Sequence, residues 1–380
     1  MIKAPVQLVL FDKHNYHTFQ PLLYQVSTAG LEPDSIAYPL RKIFRKHDNF
    51  HFRLANVNHI DTEIKQVETP IGSLAYDYLV IATGTRTNFF GNENIEKNSM
   101  AMKTVPQALN IRSLMLQNIE EADQSDDAAK RKRLLNFVIA GAGPTGVELA
   151  GALAEFRKGI LENDYPELDE EEMEIHLLEG DDSVLAHMSD TSSEKAQRFL
   201  EKMGVQIHLN TMVSDYDGST VTTKDGTQFE TATFIWAAGV TGAPVKGIPV
   251  AQLMEKLNRY KVDRFSRIQG LENIFAVGDI ALMETEAFPK GHPQVAQPAI
   301  QQGKHLAKNL KRLLKQQDLE PFSYFDKGTM ATIGRNKAVV DFKKMRFGGA
   351  FAWLLWMFVH LWFLVGFRNR VITFFNWTYN

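Results

Sequence analysis

At 380 residues the chain is long enough for two or three domains rather than one core. Its 44% hydrophobic and 23% charged content is that of a globular protein, and a net charge of -3 offers no basic face for nucleic acid. There is no cysteine, which excludes disulfides, thiolate-held zinc, iron–sulfur clusters and thiol nucleophiles.

Residues 1–11 carry one Lys and a short apolar run, with no small-residue cleavage site behind them, so no signal peptide is expected. Residues 6–11 (VQLVLF) predict a buried strand closed by Asp12, and residues 50–57 a second strand. The apolar run 78–82 (YLVIA) stops at Thr83 and Gly84. Residues 101–122 predict a helix, and the charge-rich 123–133 a polar crossing between domains. A short strand at 137–140 (FVIA) runs into a turn at Gly141, a helix over 147–161 and an acidic loop over 162–174. The strand 174–178 ends on Glu179. A helix over 192–203 precedes strands at 205–209, 219–223 and 233–236, the last followed by Ala237, Ala238 and Gly239. A buried strand at 274–277 meets Gly278 and Asp279, and 298–315 predicts a long helix. Strands interleaved with helices indicate an α/β protein with parallel sheets. No repeat of 20–50 residues is evident. Strand-then-acid does recur at Asp12 and Glu179, and strand-then-glycine at Gly84 and Gly239, as two copies of one nucleotide-binding plan would produce.

Gly141-Ala142-Gly143-Pro144-Thr145-Gly146 fits G-x-G-x-x-G, with a strand before it and a helix after it. The first Gly permits the tight turn, the second lets backbone approach a pyrophosphate, and the third lets helix and strand pack closely. The helix N-terminus then faces phosphate with free N–H groups and a positive dipole end. Glu179 is placed to hold both ribose hydroxyls of NADH; it would repel a 2′-phosphate, and Gly180-Asp181-Asp182 supplies no Arg to accept one. Glu148, in the first turn, either complements the dipole or points at the nicotinamide; the residues alone weigh these equally. In two-dinucleotide flavoenzymes an Asp placed like Asp279 after Gly278 contacts the ribityl chain of FAD. Thr83-Gly84 and Ala238-Gly239 resemble the turns where each domain returns beside its cofactor, and Asp12 is the acid for the FAD ribose. The 11 His residues show no ligand spacing, so no metal site is expected.

Residues 347–367 carry no formal charge, long enough to span a bilayer at ~20 residues. Lys343, Lys344 and Arg346 precede the run and Arg368 and Arg370 follow it, whereas a single span shows charge asymmetry. A segment lying in the membrane surface satisfies both flanks, with Trp353, Trp356, Trp362 and Trp377 at the interface. Arg335, Arg346, Arg368 and Arg370 are candidates for lipid headgroups.

The segments 15–31 (NYHTFQPLLYQVSTAGL), 141–151 (GAGPTGVELAG), 236–240 (WAAGV), 276–279 (AVGD), 296–303 (AQPAIQQG) and 327–335 (KGTMATIGR) resemble the type II NADH dehydrogenases, in order along nearly the whole chain. The resemblance implies non-covalent FAD, NADH as donor, a membrane quinone as acceptor and no proton pumping. It also implies a homodimer held on one leaflet, the cytoplasmic face of the inner (plasma) membrane. It places Ala296, Gln297 and Gln301 at the flavin and the quinone, and tips Glu148 towards the nicotinamide. The expected catalytic residues are therefore Glu148, Gln297 and Gln301. Gln297 and Gln301 share one helix face, and Pro298 suits a first helical position. The family's glycine-rich first strand should lie ~30 residues before Asp12 and has no counterpart, so the first βα unit of the FAD domain is expected to be missing.

The fold expected is two Rossmann-like dinucleotide-binding domains with a C-terminal membrane-associated helical segment. The FAD domain takes 1–105 and 251–325, the NADH domain 106–250 and the membrane-anchoring region 326–380. Two alternatives stand beside the NADH:quinone oxidoreductase: a flavin reductase serving a soluble ferredoxin-type acceptor, and an FAD-deficient chain that only binds NADH.

Overall fold

In the computed structural model, residues 4–379 are described. The first three residues of the expected FAD domain and the last residue of the C-terminal region lie outside them. The chain forms two compact units, each built from three separate stretches.

Unit 1 comprises Met1–His17, Pro39–Arg86 and Val240–Lys327. Its first strand, Leu8–Asp12, runs parallel to Phe50–Leu54, Asp12 opposite Leu54. A separate parallel pair joins Leu79–Ile81 to Ile274–Ala276. Ile274, Phe275 and Ala276 are all fully buried, as expected of a parallel strand covered on both faces. One face packs Ile274 and Ala276 against Ile60, Ile81, Tyr260, Val262 and Ile280. The other sets Phe275 against Leu306 of the helix Ala296–Leu313. That helix begins two residues before the sequence expectation. Pro298 sits at its third position, where its missing N–H still costs nothing, because the first four helical N–H groups lack intrahelical partners.

Unit 2 comprises Thr18–Tyr38, Thr87–Gly239 and Gly328–Asn380. Its sheet has five parallel strands in the order Met100–Ala101, Thr233–Trp236, Asn136–Ala140, Glu174–Leu178, Val205–His208. Asn136–Ala140 is central and buried at every residue. Thr104 and Gln107 form a capping box that starts the helix Val105–Asp123. This helix buries Ala108, Ile111, Met115, Ile119 and Ala122, and Asn118 donates to the Thr233 hydroxyl at 2.8 Å.

The polar stretch expected to cross between domains lies within unit 2. Asp127 caps a further helix, Ala128–Leu135, whose Leu134 and Leu135 are buried. One cap and two apolar side chains outweigh the charged composition. The expected helix over 147–161 is shorter: it runs Pro144–Phe156 and passes into a π-turn at Arg157–Leu161. There Arg157 donates to the carbonyls of Met173 and Met203.

The apolar C-terminal run is broken into pieces. Its first residues end the strand Met345–Gly348, and the helices Ala350–Phe363 and Phe367–Tyr379 follow. Gly366 (φ 94°) makes the bend between the helices; a Cβ there would meet the Tyr38 ring at 2.6 Å. Arg370 closes the bend by donating to the carbonyls of Leu364 at 2.7 Å and Trp362 at 3.0 Å, satisfying the open end of the first helix. Arg368 pairs with Asp34 at 2.8 Å, and Arg335 donates to the Thr378 carbonyl. These three guanidiniums, candidates for lipid headgroups from the sequence, are thus engaged with protein. Among the described residues no helix is long and apolar enough to cross a membrane.

Candidate active site

The glycine turn of unit 2 is shaped by what its missing side chains allow. Gly141 has φ 98°, and a Cβ there would lie 2.7 Å from the Ala238 Cα, so the turn and the Ala237–Gly239 segment touch backbone to backbone. A Cβ on Gly146 would run into the Gly141 carbonyl, so helix and strand close only over hydrogen at this position. Gly143 differs: a Cβ there meets nothing within 4 Å. Open space therefore lies in front of the helix Pro144–Phe156, whose N-cap is Gly143. A pyrophosphate needs that combination of tight turn, close backbone and free approach.

Glu179 stands at the mouth of this turn. Its carboxylate accepts the Ala142 N–H at 2.6 Å and the Asp181 N–H at 3.0 Å. Each oxygen retains a lone pair for a ribose hydroxyl. These residues fit an NADH, and the nearby Asp181 and Asp182 offer nothing to a 2′-phosphate.

Glu148 is half-buried on the helix, facing the hairpin strand Thr329–Gly334. Desolvation pushes its pKa up to about 8, opposed only by the Thr332 N–H it accepts. Such a carboxyl carries a proton at neutral pH and releases it within the working range of an enzyme. The close approach of helix to hairpin is set by Gly151, where a Cβ would collide with the Ile333 carbonyl. Glu148 is therefore held in place by packing.

In unit 1, Asp12 ends its strand at the carboxyl edge of the parallel pair and accepts the His14 N–H at 2.8 Å. Thr83 is exposed, and Gly84 (φ 64°) turns the chain after Leu79–Ile81 and receives the Ala243 N–H on its carbonyl at 3.1 Å. Gly278 (φ 74°) turns into Asp279, whose carbonyl accepts from Gln294 at 3.2 Å. A Cβ on Gly278 would meet the Ala299 Cβ at 3.3 Å. The N-terminus of Ala296–Leu313 thus packs on the Gly278–Asp279 turn, and its positive end suits the anionic form of a reduced ring. This geometry fits the ribityl and ring end of FAD. A glycine-rich strand-to-helix turn for the FAD pyrophosphate does not occur among the described residues of unit 1.

The glutamines of the helix take three different parts. Gln297 accepts the Lys327 N–H at 3.2 Å. Gln301 donates to the Phe325 carbonyl at 2.9 Å and accepts the Phe325 N–H at 3.0 Å, so it holds one backbone position with both ends of its amide and keeps one N–H and one lone pair. It fixes the segment around Phe325. Gln302 was not singled out from the sequence. It is 1% exposed and accepts the Gly278 N–H at 2.7 Å, which ties the helix to the turn. Only its burial distinguishes it from its two neighbours. Gln302→Leu is expected to leave that amide unpaired and to cost about 1–3 kcal/mol, read as a lower thermal midpoint together with weaker flavin retention.

The chain matches the model of the pyridine nucleotide-disulphide oxidoreductase family over residues 1–303 and that of the NDH2 C-terminal domain over residues 327–380. A type II NADH:quinone oxidoreductase of Mycobacterium tuberculosis is 38% identical over 392 residues, covering 99% of this chain and 82% of that protein. One from Staphylococcus aureus is 30% identical over 344 residues, covering 88% and 82%. The solved structure of NDH2 from Plasmodium falciparum in complex with NADH superposes with a TM-score of 0.89 at 20% identity, over 98% of this chain and 92% of that one; the likeness is one of fold.

Proposed function

The chain belongs to the type II NADH:quinone oxidoreductases, and from that premise we propose that it oxidises NADH and reduces a membrane quinone without moving protons across the bilayer. When bound, FAD would supply the two-electron redox chemistry between the nicotinamide and the quinone. The protein's part is to bind, orient and manage protons. Gly141, Gly143 and Gly146 hold the NADH pyrophosphate, Glu179 its ribose, and Ala238 and Gly239 line the return of the sheet. Asp12, Thr83, Gly84, Gly278, Asp279, Ala296 and Gln297 hold the FAD, with Gln302 bracing the turn and Gln301 fixing the segment beside it. Glu148 is the proton-carrying group of the site. The observation that carries this reading is the family match along the chain, joined to a glycine turn that leaves open space at Gly143 with the Glu179 carboxylate at its mouth.

The acceptor is lipid-dissolved because the last two helices leave many large apolar side chains exposed. Phe351, Phe358, Trp362, Phe367 and Phe375 are each more than 60% exposed. Soluble proteins rarely present such a patch to water. It favours a quinone over a soluble ferredoxin-type acceptor, and a chain lying on one leaflet, which the family resemblance implies is the cytoplasmic one, over one crossing it. Trp353, Trp356 and Trp377 are buried, so among the tryptophans of the two helices Trp362 faces the lipid. As the family resemblance implies, two copies act together. Trp362→Asp is expected to remove about 2 kcal/mol of contact and lower partitioning onto anionic vesicles roughly 30-fold, measured by flotation. Unchanged flotation would place the lipid contact elsewhere.

The test of the activity is the visible spectrum of the purified chain under anaerobic NADH, followed by a quinone. A flavin band that bleaches and then recovers is the expected result. Recovery with a ferredoxin but not a quinone would select the soluble acceptor, and a colourless chain the NADH-binding alternative.

A further inference from the structure

The edge of the unit 2 sheet carries two histidines that the proposed reaction does not use. His176 lies in the strand Glu174–Leu178, and His208 ends the neighbouring edge strand Val205–His208. In the parallel register His176 stands opposite Gln206, and Leu178 opposite His208. Alternation along each strand therefore puts both imidazoles on one face of the sheet. Their ring centroids are 5.3 Å apart, and His176 Nδ1 lies 3.1 Å from His208 Nε2. Phe229, in the strand Gln228–Glu230, packs on both rings, at 5.2 Å from His176 and 5.1 Å from His208. His176 is 7% exposed, whereas His208 is half-buried.

A carboxylate oxygen of Glu174 sits 3.6 Å from His176 Nε2. It draws the ring proton to that nitrogen and leaves a lone pair on Nδ1, the atom that faces His208. Gln206 donates to the same carboxylate at 3.5 Å. Metal-binding imidazoles are ordinarily oriented in this way, by a carboxylate on the far nitrogen. Burial holds both rings below the usual histidine range, so each is neutral at pH 7. Of the charged side chains that act on His176, Glu174 favours a cation and Lys132 opposes one.

Two imidazole nitrogens bonded to one ion at about 2.0–2.1 Å stand roughly 2.9–3.4 Å apart, from a right angle to a tetrahedral one. The separation of 3.1 Å falls within that interval. We propose that His176 Nδ1 and His208 Nε2 bind one divalent transition ion of the zinc class, with Glu174 orienting His176. A neutral N–H···N hydrogen bond has the same length, and the ion takes the place of its proton. That proton moves to His208 Nδ1, so the ring stays neutral and His208 Nε2 offers the second lone pair. Among the described residues no group of three histidine or acidic side chains is placed to hold an ion, so water completes the coordination. The ion clamps the edge strand to its neighbour. The His208 carbonyl accepts the Glu179 N–H at 2.9 Å, which sets the clamp beside the carboxylate assigned to the NADH ribose. The ion site itself does not depend on that assignment.

The experiment is calorimetric titration of zinc chloride into the purified full-length chain after treatment with a chelator. One ion per chain is expected, together with a higher thermal midpoint. Glu174→Gln should weaken binding about 10-fold, and His208→Gln, which removes a ligand, at least about 100-fold, with its zinc-dependent rise in midpoint lost. X-ray absorption at the zinc edge of the wild type reads the ligands without any substitution, and two imidazoles at about 2.0–2.1 Å are expected. Zinc binding that survives His208→Gln in full, or a spectrum without a pair of imidazoles, would overturn the site. Absence of zinc uptake by the wild type would overturn it as well and leave the histidines a hydrogen-bonded pair.

Discussion

Glu148→Gln is expected to lower quinone turnover about 100-fold and to erase the pH dependence of the remaining rate. The wild-type rate falls as pH rises through about 8, where the carboxyl ionises, and an amide has nothing to lose there. The pyrophosphate and ribose contacts to NADH should persist, because the glycine turn and Glu179 are untouched. A variant that keeps the inflection near that pH would assign it to another group. Wild-type stability shares that pH direction. The folded-state pKa lies above the unfolded value of 4.5, so folding favours the protonated acid. The cost of ionising it is absent below about pH 4.5, grows between there and about 8, and is fully present above. The wild type therefore loses stability as pH rises through this window, and Glu148→Gln does not. At alkaline pH the variant should be the more stable protein, on the order of 2–3 kcal/mol, and near pH 4 the two should melt together. Measuring the thermal midpoints at both pH values checks this. A residue kept only for packing would show the reverse, a loss at every pH.

Gly146→Ala is expected to unfold or severely loosen unit 2. The added methyl strikes the Gly141 carbonyl, and the Leu177 side chain lies 3.4 Å behind it. Both the carbonyl and the methyl are held by backbone, so no rotamer relieves the clash. The loss should be about 3 kcal/mol or more, with NADH binding lost as well. Gly143→Ala is the control. Its backbone angles (φ -68°, ψ -177°) suit any residue, and its Cβ meets no atom. It should melt like the wild type yet bind NADH more weakly, because the methyl occupies the approach of the pyrophosphate. Thermal melts paired with NADH titrations separate the two. If both variants melt alike, the close contact of helix and strand is not what Gly146 provides.

The local elements were legible where one signal dominated. Residues 137–140 read as a buried strand and form part of one, because an unbroken apolar run fits a strand covered on both faces. Residues 123–133 misled, because composition carries no record of a single N-cap such as Asp127. Gly366 marks a bend in the apolar run 347–367 already in the sequence, but the guanidinium of Arg370 that closes it finds its carbonyls only after the chain has turned.

Within the site, the glycine spacing 141–143–146 and the strand-ending Glu179 were visible in one dimension, since a nucleotide turn is local chemistry. So was the family, through six ordered motifs. The tertiary structure decided which glutamine does what. Gln297, Gln301 and Gln302 are near neighbours in sequence, yet helical rotation sends them to Lys327, Phe325 and Gly278. It also decided the charge state of Glu148, because desolvation depends on the hairpin nearly two hundred residues away that closes over it. Short-range backbone geometry is set by neighbouring residues and can be read in order; burial and long-range pairing are properties of the closed structure.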